Sequence, residues 1–179
     1  MEIKNKLNAK DAAGVEVVRA PIGIRGKYTI QHIRDGKVLS EFDVDNGIVN
    51  VGKNKLLDVM FGAVAAISPW YLGLVDNASF SAFAAADTMA SHAGWIENDD
   101  YGEATRPEWT EGAAASQSIT NATAVTFTMN ATATIKGIFV TSVDTKNGTT
   151  GTLWSTAAFN STVAVQNGDL LKVTYTVSC

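Results

Sequence analysis

The clearest periodic pattern in this chain is "DLLKVTYTVS", Asp169–Ser178. Apolar and polar side chains alternate along it: Leu171, Val173, Tyr175 and Val177 against Lys172, Thr174 and Thr176. A period of two places one set of side chains on each face of a β-strand. The stretch therefore predicts a strand with one face in a hydrophobic core and the other in solvent.

Similar strand patterns lie earlier in the chain. "TAVTFTMN" alternates in the same way, and "ATIKGIFVTSV" is continuously apolar at Ile138–Val140, as in a strand buried on both faces. Turn signals separate the patterns: Asp35-Gly36, Asn147-Gly148 and Asn167-Gly168. We predict a hairpin over residues 27–44 and antiparallel strands over 119–179, in a mainly β body of the β-sandwich or jelly-roll type.

One segment has helical periodicity. In "NKLLDVMFG", Asn54–Gly62, Leu56 lies four residues before Met60, and Leu57 lies four before Phe61. This spacing predicts one short α-helix over residues 52–62. Since a helix of about ten residues is marginal in water, we expect this apolar face to be docked, either against one end of the β body or at a subunit contact. The sequence then predicts that Leu57→Asp unfolds or disassembles the protein.

The remaining N-terminal residues, 1–26, predict an extended arm attached to a single β-rich domain, residues 27–179. Residues 1–55 hold ten Lys and Arg against seven acids, whereas residues 56–179 hold four against eleven. The acidic body argues against a nucleic-acid partner, and a basic arm is suited to a complementary surface such as a neighbouring subunit. No apolar run approaches the roughly 18 residues of a membrane span, so we expect no membrane partner.

Residues 76–118 form a long insert without clear periodicity. Inserts of this length in compact domains usually have a function, so we predict an interface loop with short internal structure. Aromatic and arginine side chains often anchor interfaces. The candidate interface residues are Trp95, Tyr101, Arg106 and Trp109.

The sequence offers few groups for chemistry. There are two histidines, His32 and His92, and the single cysteine, Cys179, is the last residue. The acids around "ENDD" lack the spacing of a calcium loop. We therefore predict no catalytic residues, no cofactor and no metal site. A carbohydrate-binding module remains an alternative, because Trp95, Tyr101 and Trp109 could stack on sugar rings.

The order of segments adds a resemblance. "YTIQHIRDGKVLSEFDVDN", the helix segment and the loop "TMASHAGW…Y…RPEW", followed by the C-terminal strands, resemble small virion proteins of tailed bacteriophages that decorate or cement the capsid. The resemblance covers most of residues 27–179. It implies a non-enzymatic protein on the capsid surface that binds the major capsid protein, often as a homotrimer. A phage tail or head-fibre component is the alternative within the same class.

Overall fold

The computed structural model describes residues 9–10, 16–17 and 23–179. The strands and the helix of these residues follow one another as β1 (Ala9–Lys10), β2 (Glu16–Val17), β3 (Arg25–Arg34), β4 (Lys37–Asp45), β5 (Gly47–Ile48), α1 (Asn50–Phe61), β6 (Trp70–Asp76), β7 (Glu97–Asn98), β8 (Glu108–Trp109), β9 (Ser118–Thr120), β10 (Val125–Thr128), β11 (Ala133–Thr141), β12 (Leu153–Val165) and β13 (Leu170–Ser178). Strands β1 and β2 pair with each other. Most of the predicted arm, residues 1–26, lies outside the described residues, and the division into arm and domain stays a prediction.

The body consists of two antiparallel sheets. Sheet I has the order β10-β13-β3-β4, with β9 also paired to β13. Sheet II has the order β5-β12-β11-β6-β7, with β8 also paired to β6. The side chains between the sheets form the main core. The predicted mainly β, sandwich-like body with one short helix is confirmed.

Sequence periodicity accounts for the central strands. In β13 the alternation places Leu171, Val173 and Tyr175 in the core, fully buried. In β11 the continuous apolar run is buried on both faces. Ile138 and Val140 pack between the sheets, and Phe139 packs into a second cluster on the outer side of sheet II.

A two-residue turn closes the predicted hairpin of β3 and β4. Asp35 and Gly36 both have positive φ, 49° and 73°. This backbone geometry fits a tight hairpin because it matches the right-handed twist of the flanking strands, and Asp-Gly adopts it at low cost. The turn residues therefore set the register in which β3 pairs with β4.

Polar atoms connect the two sheets at Tyr175. Its ring stacks on Tyr28 of sheet I, with the ring centroids 4.3 Å apart. Its hydroxyl accepts hydrogen bonds from Trp154 Nε1 at 2.9 Å and Asn46 Nδ2 at 2.7 Å, and lies 3.3 Å from Ser155 Oγ. Burial raises the pKa of Tyr175 to about 12. The hydroxyl thus stays protonated and links β13 to sheet II.

Helix α1 is attached to the body differently from the prediction. Gly52 is its one buried residue, and a Cβ there would lie 2.5 Å from the Trp154 carbonyl oxygen. Leu57, Met60 and Phe61 are exposed. The predicted closure of one end of the body by these three side chains is therefore wrong, whereas their packing at a subunit contact stays a prediction. The helix instead approaches β12 at Gly52. Among the described residues no helix is long and apolar enough to cross a membrane.

Strand β4 is the free edge of sheet I, and most of its side chains are exposed. Charged residues alternate on its outer face. Lys27 of β3 donates to Asp43 at 2.6 Å, and Gln31 donates to Glu41 at 2.7 Å. Charges along an edge oppose pairing with a further strand.

The exposure of Leu57 gives the first prediction. Leu57→Asp is expected to change the free energy of unfolding in dilute solution by no more than about 0.5 kcal/mol, since exposed substitutions rarely do more. Leu171→Asp, which buries a carboxylate between the sheets, is the matched control and is expected to abolish folding. Urea titration followed by tryptophan fluorescence measures both. Unfolding of the Leu57 variant would contradict this account of α1.

Candidate functional site

The long loop between β6 and β9, residues 77–117, is the segment for which the sequence predicted a functional surface. It crosses the outer side of sheet II, and its short strands β7 and β8 both pair with β6. The structure therefore tests where its candidate side chains point.

Trp95 points into the body. It is 2% exposed and packs against Phe139 of β11, with ring centroids 5.1 Å apart. Its Nε1 donates to Asp87 Oδ2 at 3.0 Å, and the His92 ring stacks on it at 3.9 Å. The second core cluster is thus completed by a residue of the loop.

Arg106 forms a buried ion pair within the loop. Its side chain is 0% exposed and that of Glu97 is 4% exposed. Arg106 Nε donates to Glu97 Oε1 at 2.8 Å, and Nη2 donates to Oε2 at 2.7 Å. Arg106 Nη1 and Nη2 also donate to the carbonyl oxygens of Val143 and Gly148. The pair therefore ties the loop to the segment between β11 and β12.

Tyr101 is also buried, at 1% exposure. Its ring packs edge-on against Phe127, and Lys146 Nζ lies 3.7 Å above the ring centroid. Burial raises the pKa of the Tyr101 hydroxyl. That hydroxyl finds no hydrogen-bond partner among the described residues.

Trp109 joins the loop to sheet I. Its Nε1 lies 3.1 Å from Asn121 Oδ1 and 3.2 Å from the carbonyl oxygen of Tyr175, and it donates to both. Asn121 Oδ1 in turn accepts from the backbone N–H of Tyr175 at 2.7 Å. This buried group of bonds closes the end of the sandwich where β8 and β9 lie.

The four candidate interface residues thus anchor the loop to its own body at separate points. The structure does not bring them together in one site. Their side chains are buried in this chain, so any contact that the loop makes with a subunit uses other residues. That the loop is an interface stays a prediction. The rings of Trp95, Tyr101 and Trp109 present no open face for stacking on a sugar.

The acidic side chains of the loop are also engaged in the fold. Asp99 accepts from Asn147 Nδ2 at 2.8 Å, Asp100 accepts from Asn98 Nδ2 at 3.2 Å, and Glu103 accepts from the Thr128 backbone N–H. Within the described residues no group of three or more His, Cys, Asp or Glu is placed to hold a metal ion. These carboxylates stabilise the loop.

The sequence analysis missed one buried polar cluster. His32 Nε2 lies 2.8 Å from Asp169 Oδ2, and Arg34 donates to both oxygens of Asp169 at 2.7 Å. Asp169 is 1% exposed, and the arginine holds the pKa of its carboxyl well below the usual range. His32 borders a groove of about 340 Å³ beside Ser40 and Phe42. The alternation Tyr28, Ile30, His32 along β3 was the signal that His32 faces inwards.

The cluster of His32, Arg34 and Asp169 stabilises the fold. Within residues 23–179 no hydroxyl or thiol hydrogen-bonds to His32, whereas a serine or cysteine hydrolase of the triad type has its nucleophile in that position. Asp169 also accepts from the Gln166 backbone N–H at 2.8 Å, which fixes the turn between β12 and β13. The cluster therefore joins that turn to the end of β3.

An apolar groove of about 290 Å³ lies between α1 and the sandwich. Leu56 and Val59 of the helix line one side, and Trp70 and Trp154 line the other. The groove offers little to a polar ligand, because its lining is mainly aliphatic and aromatic.

The fold and these sites can be compared with known proteins. Residues 47–176 match the model of the family described as Podophage GP4 fiber I protein gp80. The match spans more than half of the chain and includes α1, all of sheet II, the long loop and most of β13. The chain belongs to this family. No curated protein matches the sequence.

Membership in the podophage fiber I family makes the chain a structural protein of a phage virion. The predicted phage virion class is confirmed at this level. The family's description names a fibre, so it favours the fibre alternative over the capsid decoration protein that the sequence predicted first. The major capsid protein as partner and the homotrimer stay predictions.

The buried ion pair gives the second prediction. Arg106→Met is expected to lower the free energy of unfolding by about 3–5 kcal/mol, because it leaves the Glu97 carboxylate buried without its cation. Lys27→Met removes the exposed partner of Asp43 and is the matched control, expected to leave the free energy of unfolding nearly unchanged because water screens this pair. Thermal and urea unfolding measure both. Equal effects of the two variants would contradict the structural role of Arg106.

The two buried tyrosines give the third prediction. Tyr101→Phe is expected to leave stability unchanged or raise it by about 1 kcal/mol, since its hydroxyl has no partner in the described structure. Tyr175→Phe removes a hydroxyl that accepts from Trp154 and Asn46, and is expected to cost about 1–3 kcal/mol. Melting temperatures distinguish them. A larger loss for Tyr101→Phe would contradict the assignment.

The pKa of Asp169 gives the fourth prediction. Its folded-state pKa lies below the unfolded value of about 3.9, so its contribution is fully present above that pH and is lost as the pH falls further. Asp169→Asn is expected to lower stability at pH 7 and to flatten the pH dependence of stability below about pH 4. Urea midpoints between about pH 7 and pH 3 test this. An unchanged acid limb in the variant would contradict it.

Proposed function

We propose that this chain is a building component of a phage tail fibre and has no enzymatic role. The observation that supports this most strongly is the match of residues 47–176 to a family described as a podophage fibre protein. The matched region includes the whole of sheet II and the long loop, so it spans the body of the fold and is not confined to a local motif.

The geometry is compatible with a structural role. The loop that the sequence proposed as a ligand or interface surface is fixed to the sandwich by a buried ion pair and three buried aromatic side chains. A loop held in this way presents a surface of constant shape, which suits a subunit that must dock repeatedly in one orientation.

A capsid decoration protein and a tail-fibre component lie at different places on the virion. Labelling purified particles therefore distinguishes the two functions. Antibodies against this chain, labelled with gold, are expected to bind at the tail of purified particles. Particles made without the chain are expected to retain intact heads and to lack one set of fibres in cryo-electron micrographs. Gold distributed over the head in a lattice, with unchanged tails, would overturn the fibre proposal and favour capsid decoration.

A further inference from the structure

Helix α1 leaves an apolar surface uncovered. Within the described residues seven large apolar side chains are exposed, and four of them fall within residues 57–64: Leu57 at 55%, Met60 at 65%, Phe61 at 83% and Val64 at 43%. We call these four residues the helix patch. The rest of the exposed apolar side chains are Val38, Leu39 and Ile96, which lie elsewhere in the fold.

The size of the helix patch is close to what a specific interface needs. At roughly 200 Å² for a large apolar side chain, these exposed fractions amount to about 500 Å². A standard protein interface buries about 800 Å² on each partner. The exposed alanines that follow the helix, Ala63, Ala65 and Ala66, extend the patch. A partner with an equal apolar face would bury about 1,000 Å² in total, which is the size of a weak, concentration-dependent interface.

The helix also lacks the features that stabilise an isolated helix. Its N-terminus has no side-chain cap, its first turn has no acidic residue and its last turn has no basic residue. A helix of 12 residues is marginal without tertiary packing, and Gly52 is its one buried residue. The face of α1 formed by Leu57, Met60 and Phe61 thus lacks a packing partner among the described residues.

A second copy of α1 is such a partner if the two helices are antiparallel. Leu57, Met60 and Phe61 are spaced at i, i+3 and i+4, which forms one apolar stripe that can pack against its own copy. In this arrangement Lys53 of one copy lies near the C-terminal turn of the other. A cation at a helix C-terminus is favourable, and the last turn of α1 has none of its own.

We propose that the helix patch is covered by the helix patch of a second copy of this chain, with the two α1 helices antiparallel about a two-fold axis near Leu57. The contact is isologous, so each copy contributes the same surface. It is independent of the fibre assignment: a monomeric protein found in tail fibres would overturn the pairing and leave the fibre proposal standing.

Solution mass tests the pairing first. Light scattering coupled to gel filtration of the full chain is expected to give twice the chain mass at high concentration and the single mass on dilution. Phe61→Asp is expected to weaken association at least tenfold, since it places a carboxylate in the apolar stripe. Leu39→Asp alters another exposed apolar residue, on the hairpin of β3 and β4, and is expected to leave association unchanged. Circular dichroism verifies that both variants are folded.

Cysteine cross-linking tests the geometry. In a Cys179→Ser background, Leu57→Cys is expected to form a disulfide-linked dimer under mild oxidation, because residues near a two-fold axis lie close to their own copies. Leu39→Cys in the same background is the control and is expected to form little disulfide-linked dimer, because Leu39 lies away from the proposed axis. Equal cross-linking of the two variants would overturn the proposed axis.

The same experiments give different results if the helix patch is covered by a trimer contact or by the N-terminal segment of the chain. A mass of three chains that persists in Phe61→Asp would overturn the pairing and favour the trimer expected from the sequence. A single mass at every concentration, with lysine-reactive cross-links joining Lys53 to lysines of residues 1–22 in one chain, would overturn it in favour of the chain's own N-terminal segment.

Discussion

The polar link between the two sheets is centred on one residue, Tyr175. It lies in β13, the strand of sheet I that pairs with β3, β9 and β10, and its hydroxyl accepts hydrogen bonds from side chains beyond that sheet. A buried hydroxyl is stabilising only when its partners lie at the correct distance, so these bonds define the spacing of the two layers. Gly26 faces this hydroxyl, and a Cβ there would lie 2.6 Å from the oxygen. The sequence of β3 is therefore restricted by the same contact.

The long loop is part of the core. Trp95 and Trp109 fill two separate apolar regions, and the pair of Arg106 and Glu97 lies between them along the chain. Burying this pair costs desolvation energy that its bidentate geometry and the two carbonyl acceptors offset. Such a pair specifies one conformation of the loop more than it adds stability. The loop therefore behaves as a rigid part of the subunit.

The sequence was informative where structure is local and periodic. The alternation in β13 predicted its buried face, and Asp35-Gly36 predicted the hairpin. The orientation of the loop side chains was not predictable, because their partners, such as Asn121 and Phe139, are distant in sequence and follow no period. The position of the helix along the chain was predicted correctly. Its attachment to the body was predicted from the spacing of its apolar residues. Its attachment instead uses Gly52, where a missing side chain permits close approach and no periodic signal exists.

The same separation applies to function. The order of segments indicated a phage virion protein, a class that the family match supports. The choice between head and tail was not predictable from residues that stabilise a sandwich, because both kinds of subunit need the same core.

The charged edge of β4 has a consequence for assembly. An open sheet edge is the usual starting point of uncontrolled strand addition, which grows without limit in both directions. Alternating acids and a lysine along this edge make each added strand desolvate charge, so growth by that route is suppressed while the protein accumulates before use. Association by strand addition at this edge is thereby disfavoured, which leaves side-chain surfaces such as the helix patch for contacts between subunits.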